Sequence, residues 1–308
     1  MSANPSLRSA ESPHGGGRIW KARGARGQAA APAAPRRKME HIASVSRSSG
    51  LEKDGDALTE FQVQEEYREF IQGKFSHIWL NYAGKLREGI VSSKRTDKFA
   101  LEVYETSLYL ATLSDSPRHV SSVIPALASY FHLPSKEPNL NCIPAILICL
   151  LHHLVAAYPS QREFHSYLAS VPTSFFPTDS AERTWISALS SSIRARNYAK
   201  IDKLTQLSAL PAGGASRELA RMAFYHVVDA LRAKTREMAW TVMRAAYREL
   251  WCQSDSDTQD WLVCSLGLRS GIPGGHDIDL DEWLERESGL GHVRKKEGVD
   301  GRWILCRS

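Results

Sequence analysis

Residues 98–113 read KFALEVYETSLYLATL, and the spacing of their apolar side chains decides the class of fold. Five side chains follow one another at alternating steps of four and three residues: Phe99, Val103, Thr106, Leu110 and Leu113. Such spacing places them on one face of an α-helix. We therefore predict a helix that buries this stripe and ends at the turn signal Ser114–Pro117.

The same helical period extends from Thr59 to residue 251 without an alternating strand pattern. It predicts further helices at residues 62–72, 77–91, 118–132, 141–157, 161–170, 181–196, 198–208, 216–235 and 237–251. The short polar connections between them indicate antiparallel neighbours. Paired helices of this length predict a helical-repeat solenoid of the TPR-like type over residues 59–251.

The last of these predicted helices carries a strong apolar stripe. Its members are spaced three, four and three residues apart: Trp240, Met243, Tyr247 and Leu250. Trp251 follows at another apolar position of the same predicted helix. We expect all five side chains to lie in the core, because aromatic and aliphatic stripes at helical spacing are usually buried.

Residues 252–308 change character, because two short capped helices precede a hairpin. Asp257 and Asp279 stand where a side chain caps the first turn of each helix. The turn Gly298–Gly301 joins two short runs of strand-forming residues within His292–Cys306. Two helices followed by a β-hairpin are the outline of a winged helix whose wing is the hairpin.

Residues 1–58 form a different kind of segment. The first 50 residues carry nine basic and two acidic side chains, a net charge of +7, and few large apolar ones. Because ordering them would bury little apolar surface, we predict a disordered basic arm. Its composition is compatible with a mitochondrial transit peptide, with a nuclear signal at Pro35–Lys38, and with a low-complexity leader.

Cysteine spacing and apolar-run length argue against three classes of protein: a disulfide scaffold, a zinc ribbon and a membrane-spanning protein. The five cysteines form no C-x-x-C pair, which argues against a disulfide scaffold and a zinc ribbon. The longest apolar run, Ile143–Leu151, contains a proline and is far shorter than the ~20 residues of a membrane-spanning helix. We expect no membrane partner.

Three short segments resemble a known family. Lys98–Thr106, KFALEVYET, resembles the helix F-T-V-E-V-Y-E-x-H of the GANP-like mRNA-export family, and Arg196–Lys200, RNYAK, resembles its step G-N-Y-x-x-F. Trp261–Gly267, WLVCSLG, is similar to the F-L-x-x-x-G entry into the family's winged helix. The likeness covers about residues 76–306. The chain departs from the family at Leu86–Val91, where the family has S-I-R-Q-D-L, and lacks its Cys-Pro-Glu start.

The family, also described by its Sac-three/GANP domain, belongs to the PCI superfamily of proteasome-lid, signalosome and initiation-factor subunits. The resemblance implies a helical-repeat solenoid capped by a winged helix, without catalytic activity or a small-molecule substrate. It implies a second PCI-type subunit as partner, binding of RNA or DNA without strong sequence preference, and a nuclear role in mRNA export or transcription-coupled mRNA processing. The alternative is a cytoplasmic protein-interaction subunit of a proteasome lid, signalosome or initiation-factor assembly, and a mitochondrial location is a third interpretation.

Two groups of basic residues are candidates for contact with phosphate. Residues 194–248 carry eleven basic and four acidic side chains, whereas residues 252–287 carry two basic and nine acidic ones. The candidates are, on the wing, Arg294, Lys295, Lys296 and Arg302, and, near a predicted helix junction, Arg232, Lys234 and Arg236. Positive charge alone suffices for such contacts. Solvated helix faces, or a wing that binds protein, remain open alternatives.

The chain offers no catalytic or metal-ligating constellation. It lacks G-x-S-x-G, a P-loop and G-x-G-x-x-G. Two metal candidates are weak: Cys142, Cys149 and His153 share a helical face without a fourth ligand, and the alternating Asp277, Asp279 and Asp281 have Glu282 where a calcium loop needs glycine. We therefore expect no enzyme, no cofactor and no metal, with Asp279 acting as a helix cap.

Overall fold

The computed structural model describes residues 38–45, 55–74, 76–131, 142–212, 217–252 and 257–306. The predictions of a disordered arm, a transit peptide and a nuclear signal fall almost entirely outside the described residues. Three residues from the segment assigned to the arm are described and buried. Ile42 and Ser44 are 4% and 8% exposed, and Leu58 is fully buried against α2 (Ser76–Ser92). The ordered body therefore begins before residue 59.

The described chain is mainly helical, with a small antiparallel sheet near the C-terminus. The other helices are α1 (Phe61–Gln72), α3 (Lys98–Leu113), α4 (Pro117–Phe131), α5 (Ile143–Ala156), α6 (Arg162–Ser170), α7 (Ala181–Arg194), α8 (Tyr198–Leu204), α9 (Glu218–Ala246), α10 (Asp257–Leu266) and α11 (Leu280–Gly289). Short 3₁₀ helices occupy Met39–His41, Gly55–Thr59 and Leu207–Ala209. The strands are β1 (Glu249–Trp251), β2 (Val293–Lys295) and β3 (Arg302–Leu305).

Helix α3 confirms the predicted helix and its end at Ser114, but not the predicted buried face. Asp97 caps its first turn by accepting a hydrogen bond from the Ala100 amide at 3.1 Å. Because α3 packs against α2, α4 and α9, it is buried on most sides. Of the predicted stripe only Val103 is fully buried, and Phe99 is among the members that remain partly exposed. The stripe is thus the more open side of a central helix.

Helix α9 is one continuous helix of 29 residues, so the two helices predicted at 216–235 and 237–251 are wrong. No glycine or proline interrupts the intervening sequence, and helix-favouring residues continue through it. The N-terminal part of α9 packs in the main apolar cluster up to Leu231. Its C-terminal part, from Ala239 to Met243, enters a second cluster that continues to Leu305.

The sheet has the strand order β1-β3-β2, with both pairings antiparallel. The predicted hairpin is confirmed, since β2 pairs with β3 across the Gly298–Gly301 turn. Strand β1 was predicted as helix and instead pairs with β3, Leu250 opposite Trp303. A C-terminal module that starts at residue 252 would therefore lack one strand of its sheet.

The side-chain cap predicted at Asp279 is confirmed, and Asp257 is the first residue of α10. The Asp279 carboxylate accepts hydrogen bonds from the amides of Asp281 and Glu282, both at 3.0 Å. Gly267 follows α10 with a positive φ of 57°, which glycine adopts without steric cost. Among the described residues, no helix combines the length and apolar character that crossing a membrane requires.

Candidate functional site

The sheet divides the basic residues of the wing between two faces. Successive side chains of a strand point to opposite faces, and paired residues share a face. Lys295, opposite Trp303, lies on the inner face, which packs towards α11, and Arg294, opposite Ile304, lies on the outer face. The single basic wing tip expected from the sequence is therefore split.

Glutamates lie beside three of the four basic wing residues. The Lys295 Nζ lies 2.5 Å from a Glu285 carboxylate oxygen on α11, and this hydrogen bond raises the pKa of Lys295. The Lys296 Nζ lies 2.9 Å from the Glu249 carboxylate on β1, whose pKa that hydrogen bond lowers. Arg302 lies 3.8 Å from the same carboxylate.

Arg294 is the exception among the wing cations. It is exposed and has no ion-pair partner among the described residues. Its charge is therefore available to an incoming anion, whereas that of Lys295 is already engaged.

Arg232, predicted to contact phosphate, is a buried structural residue. Only 2% of its side chain is exposed, and its guanidinium lies 2.7 Å from the Asp202 carboxylate of α8. It also donates to the hydroxyl of Thr205 at 2.5 Å and to the carbonyls of Gly267 and Arg269 at 3.1 and 2.6 Å. Because these partners use its donors, Arg232 ties α8 and α9 to the end of α10 and cannot reach solvent.

The other two candidates on α9 also have internal partners. Arg236 donates to the carbonyls of Leu266 and Gly267, both at 2.9 Å, which satisfies groups at the C-terminal end of α10. Burial lowers its pKa, and the neighbouring Arg232 lowers it further. Lys234 is partly exposed and pairs with Glu237 at 2.9 Å. The helix junction expected near these residues does not exist, because α9 continues through it.

Three exposed aromatic side chains lie in β1 or close to it. Two of them, Tyr247 and Trp251, were predicted from the sequence to lie in the core. Tyr247, Trp251 and Trp261 are 45%, 49% and 40% exposed. The helical stripe breaks because α9 ends at Ala246, after which a strand alternates Glu249 and Trp251 outwards with Leu250 inwards. The alternation of outward and inward side chains over Glu249–Trp251 is the sequence signal from which this exposure could have been predicted.

A cleft of about 480 Å³ lies between α11 and the wing turn. Its charged lining balances three carboxylates against three cations: Asp281, Glu285, Asp300, Lys295, Lys296 and Arg302. This balance favours neither an anionic nor a cationic ligand.

The two cysteines of the first metal candidate lie in the core, whereas Asp277, Asp279 and Asp281 of the second are exposed. Cys142 and Cys149 are fully buried, and burial raises the pKa of each thiol to about 12. A thiol must lose its proton to bind a metal. Across the part of the chain that the structure describes, no cluster of three metal-ligating side chains occurs.

No family model matches the chain, and no curated protein matches its sequence significantly.

Proposed function

We propose that this chain is a non-enzymatic scaffold subunit of a nuclear complex in mRNA export or transcription-coupled mRNA processing. In this proposal the body has the architecture of a helical-repeat solenoid, and the C-terminal module has that of a winged helix. The module binds a second PCI-type subunit, and together they hold RNA or DNA without strong sequence preference.

The observation that carries the proposal is the order of elements at the C-terminal end. The end of α9 is followed by β1, α10, α11, β2 and β3, and β3 lies between the other two strands. A winged helix has this order of helices and strands, including the early strand that completes the sheet. Adjacent pairs such as α1–α2 and α7–α8 in the body are consistent with helical repeats.

One backbone feature supports the family resemblance. Arg196 stands where the family step G-N-Y-x-x-F has glycine, and it has a positive φ of 53°. Glycine reaches this conformation far more easily than arginine does. Asn197, the next residue of the step, caps α8 by accepting a hydrogen bond from the Lys200 amide at 3.0 Å. The turn thus has the geometry for which the family's glycine is suited.

The charge of α11 favours a protein partner on that side of the module. Of its exposed charged residues, three are acidic and one is basic: Asp281, Glu282, Glu285 and Arg286. A phosphate backbone would be repelled by these carboxylates, whereas a basic protein surface would be attracted. We therefore assign the α11 side to the partner subunit and phosphate contact to another surface.

A second function is favoured by a specific observation. Lys295 and Lys296 pair with glutamates, and Arg232 is buried. This arrangement is expected of a protein-interaction subunit of a proteasome lid, signalosome or initiation-factor assembly that binds no nucleic acid.

Affinity purification of the tagged full chain from its native cell, followed by mass spectrometry and sequencing of co-purified RNA, tests the two functions. We expect a second PCI-type subunit, nuclear mRNA-processing proteins and RNA whose recovery falls with salt. Recovery of proteasome, signalosome or initiation-factor subunits without RNA would contradict the first proposal.

Charge reversal tests the wing within the same full chain. Arg294→Glu with Lys296→Glu should weaken binding of RNA in a filter assay and reduce its salt dependence, because phosphates lose two cationic partners on the face of the sheet that points away from α11. Lys98→Glu is the matched control, since Lys98 is 73% exposed on α3, outside the C-terminal module. Equal binding by the wing variant and the control would remove the wing from the nucleic-acid site.

A further inference from the structure

The outer face of the sheet combines cations with an exposed aromatic ring. We define the outer sheet face by the residues that alternation and register place together: Glu249, Trp251, Arg294, Lys296, Arg302 and Ile304. Contacts agree with this assignment, because the Lys296 Nζ meets the Glu249 carboxylate at 2.9 Å and the Arg302 guanidinium lies 4.7 Å from the Trp251 ring centre.

The charge of the outer sheet face is net positive. It carries three cations, Arg294, Lys296 and Arg302, against one carboxylate, Glu249, which leaves a charge of +2. The carboxylate holds two of the cations in place, and Arg294 has no ion-pair partner among the described residues. This excess of positive charge favours an anionic ligand.

Trp251 supplies a flat apolar surface on the edge strand β1, directly beside Arg302 of the central strand β3. It is 49% exposed although it is a large aromatic residue, and Arg302 lies against its ring. Among the described residues, the side-chain hydrogen bonds and ion pairs of the outer sheet face join its own members to one another. Because half of the Trp251 side chain is exposed, its ring is accessible to a ligand.

We propose that the outer sheet face binds single-stranded nucleic acid, with a base stacked on Trp251 and with Arg294, Lys296 and Arg302 in contact with phosphates. This inference rests on the nucleic-acid part of the proposed function and deepens it by naming the surface and the class of ligand. Arg302 braces the ring by a cation–π contact, and base stacking on an aromatic side chain tolerates every base.

The composition of the face distinguishes between classes of ligand. Single strands are bound by aromatic rings interleaved with cations, often on a β-sheet surface. The core of a protein–protein interface is depleted of charged residues, whereas four of the six residues here are charged. Duplex bases are already stacked on one another and have no free face for Trp251. A single strand therefore fits the surface best.

The first experiment measures binding of a fluorescein-labelled 12-nucleotide oligouridine to the full chain by anisotropy. Trp251→Leu should raise Kd about tenfold, because one stacked base is lost. Trp251→Phe keeps an aromatic face and should stay within about threefold of the wild type. Phe61→Leu is the matched control and should leave Kd unchanged, since Phe61 on α1 is another exposed aromatic, 48% exposed, and lies against the Arg95 guanidinium.

A gain-of-function variant separates the proposal from simple misfolding. Glu249→Gln removes the single carboxylate and frees Lys296 and Arg302 for phosphate, so it should lower Kd about threefold and steepen the salt dependence. A purely structural role for Glu249 predicts lower thermal stability with unchanged Kd. That outcome would overturn the assignment of these cations to phosphate.

Crosslinking localises the contact even though the basic residues 1–50 can also bind RNA. A 4-thiouridine oligonucleotide crosslinked to the full chain should mark Trp251 within the tryptic peptide of residues 249–269. Crosslinks confined to residues 1–50, or unchanged Kd and crosslinking in Trp251→Leu, would overturn the proposal.

The same variants distinguish this inference from the proposed function. If the wild type binds RNA and its partner subunit while Trp251→Leu does both equally well, the outer sheet face is excluded and the proposed function stands. If Trp251→Leu loses the partner subunit instead of RNA, the face is a protein interface. If the wild type binds no oligonucleotide, both the inference and the nucleic-acid part of the function fail.

Discussion

The role of Arg232 inferred from the sequence differs from the role that the structure shows. In the sequence it belongs to a basic stretch that favours phosphate binding, whereas in the fold its guanidinium joins three elements around Asp202. A buried ion pair is strongly disrupted when only one partner is removed, because the other charge remains buried without compensation.

We predict that Arg232→Met lowers the free energy of unfolding by about 3–5 kcal/mol. Removing both charges, in Arg232→Met with Asp202→Leu, should cost less than the single substitution. Urea denaturation followed by circular dichroism measures both. A double variant as unstable as the sum of its single variants would show that the two residues act independently.

Glu105 on α3 is a second residue whose environment decides its chemistry. It is 3% exposed, and burial raises its pKa to about 7 despite the opposing effect of Arg217, whose guanidinium lies 3.9 Å away. Cys142 also donates a hydrogen bond to the carboxylate, which lowers the pKa less. The folded state therefore retains a proton on Glu105 that the unfolded state has lost.

This retained proton predicts a pH dependence of stability. Between the pKa of 4.5 for an exposed glutamate and about 7, only the folded state binds the proton, so stability falls as pH rises through this window and is level above it. Glu105→Gln mimics the protonated acid. Its stability relative to the wild type should rise by about 2–3 kcal/mol from pH 5 to pH 8.

The difference between the two proteins is the quantity to measure by urea denaturation. His152, whose pKa burial lowers to about 4, affects stability in the opposite direction between pH 4 and 6.5, but equally in both proteins. A difference that does not change with pH would show that Glu105 titrates normally.

At the scale of elements, α2 contains two glycines with opposite roles. A side chain at Gly89 would collide with the backbone of Leu58, so this glycine lets the 3₁₀ helix of residues 55–59 lie against α2. Gly84, in the same helix, has nothing within 4 Å of its missing side chain.

We predict opposite effects of the same substitution at these two positions. Gly84→Ala should raise the free energy of unfolding by up to about 1 kcal/mol, because alanine favours the helix. Gly89→Ala should lower it, because Leu58 must move out of the core. Thermal unfolding of the two variants measures the difference, and equal shifts would contradict the packing of residues 55–59 on α2.

Over residues 39–308, two apolar clusters share α9 as a common element. Leu231 of α9 belongs to the first cluster and Trp240 to the second. Arg232, between them, connects α8 of the body with the end of α10. Because α9 contributes side chains to both clusters, unfolding of one cluster disrupts the packing of α9 in the other.

We therefore predict one cooperative unfolding transition for this part of the chain. Leu284→Ala, in the second cluster and fully buried, should cost about 2–5 kcal/mol and shift the circular-dichroism and tryptophan-fluorescence midpoints together. Leu290→Ala is the control, because Leu290 is 63% exposed. Two separate transitions would show that the clusters unfold independently.

Local sequence patterns predicted most helices and the Asp279 cap correctly. The end of α3 follows from a period of 3.6 residues and the break after Leu113. Asp279 and the Gly298–Gly301 turn likewise act on neighbours a few residues away. These features could be anticipated because the interactions that create them are local in the chain.

The functional surface depended on contacts between distant residues. Strand β1 exists because Leu250 pairs with Trp303, 53 positions later, and this pairing exposes Trp251 where a helix would have buried it. The basic character of residues 194–248 and of the wing is visible in the amino-acid sequence, but which charges reach solvent is not. Arg232 meets Asp202 and Arg302 meets Glu249 only once the chain has folded, because ion pairing and burial depend on distances that sequence separation does not specify.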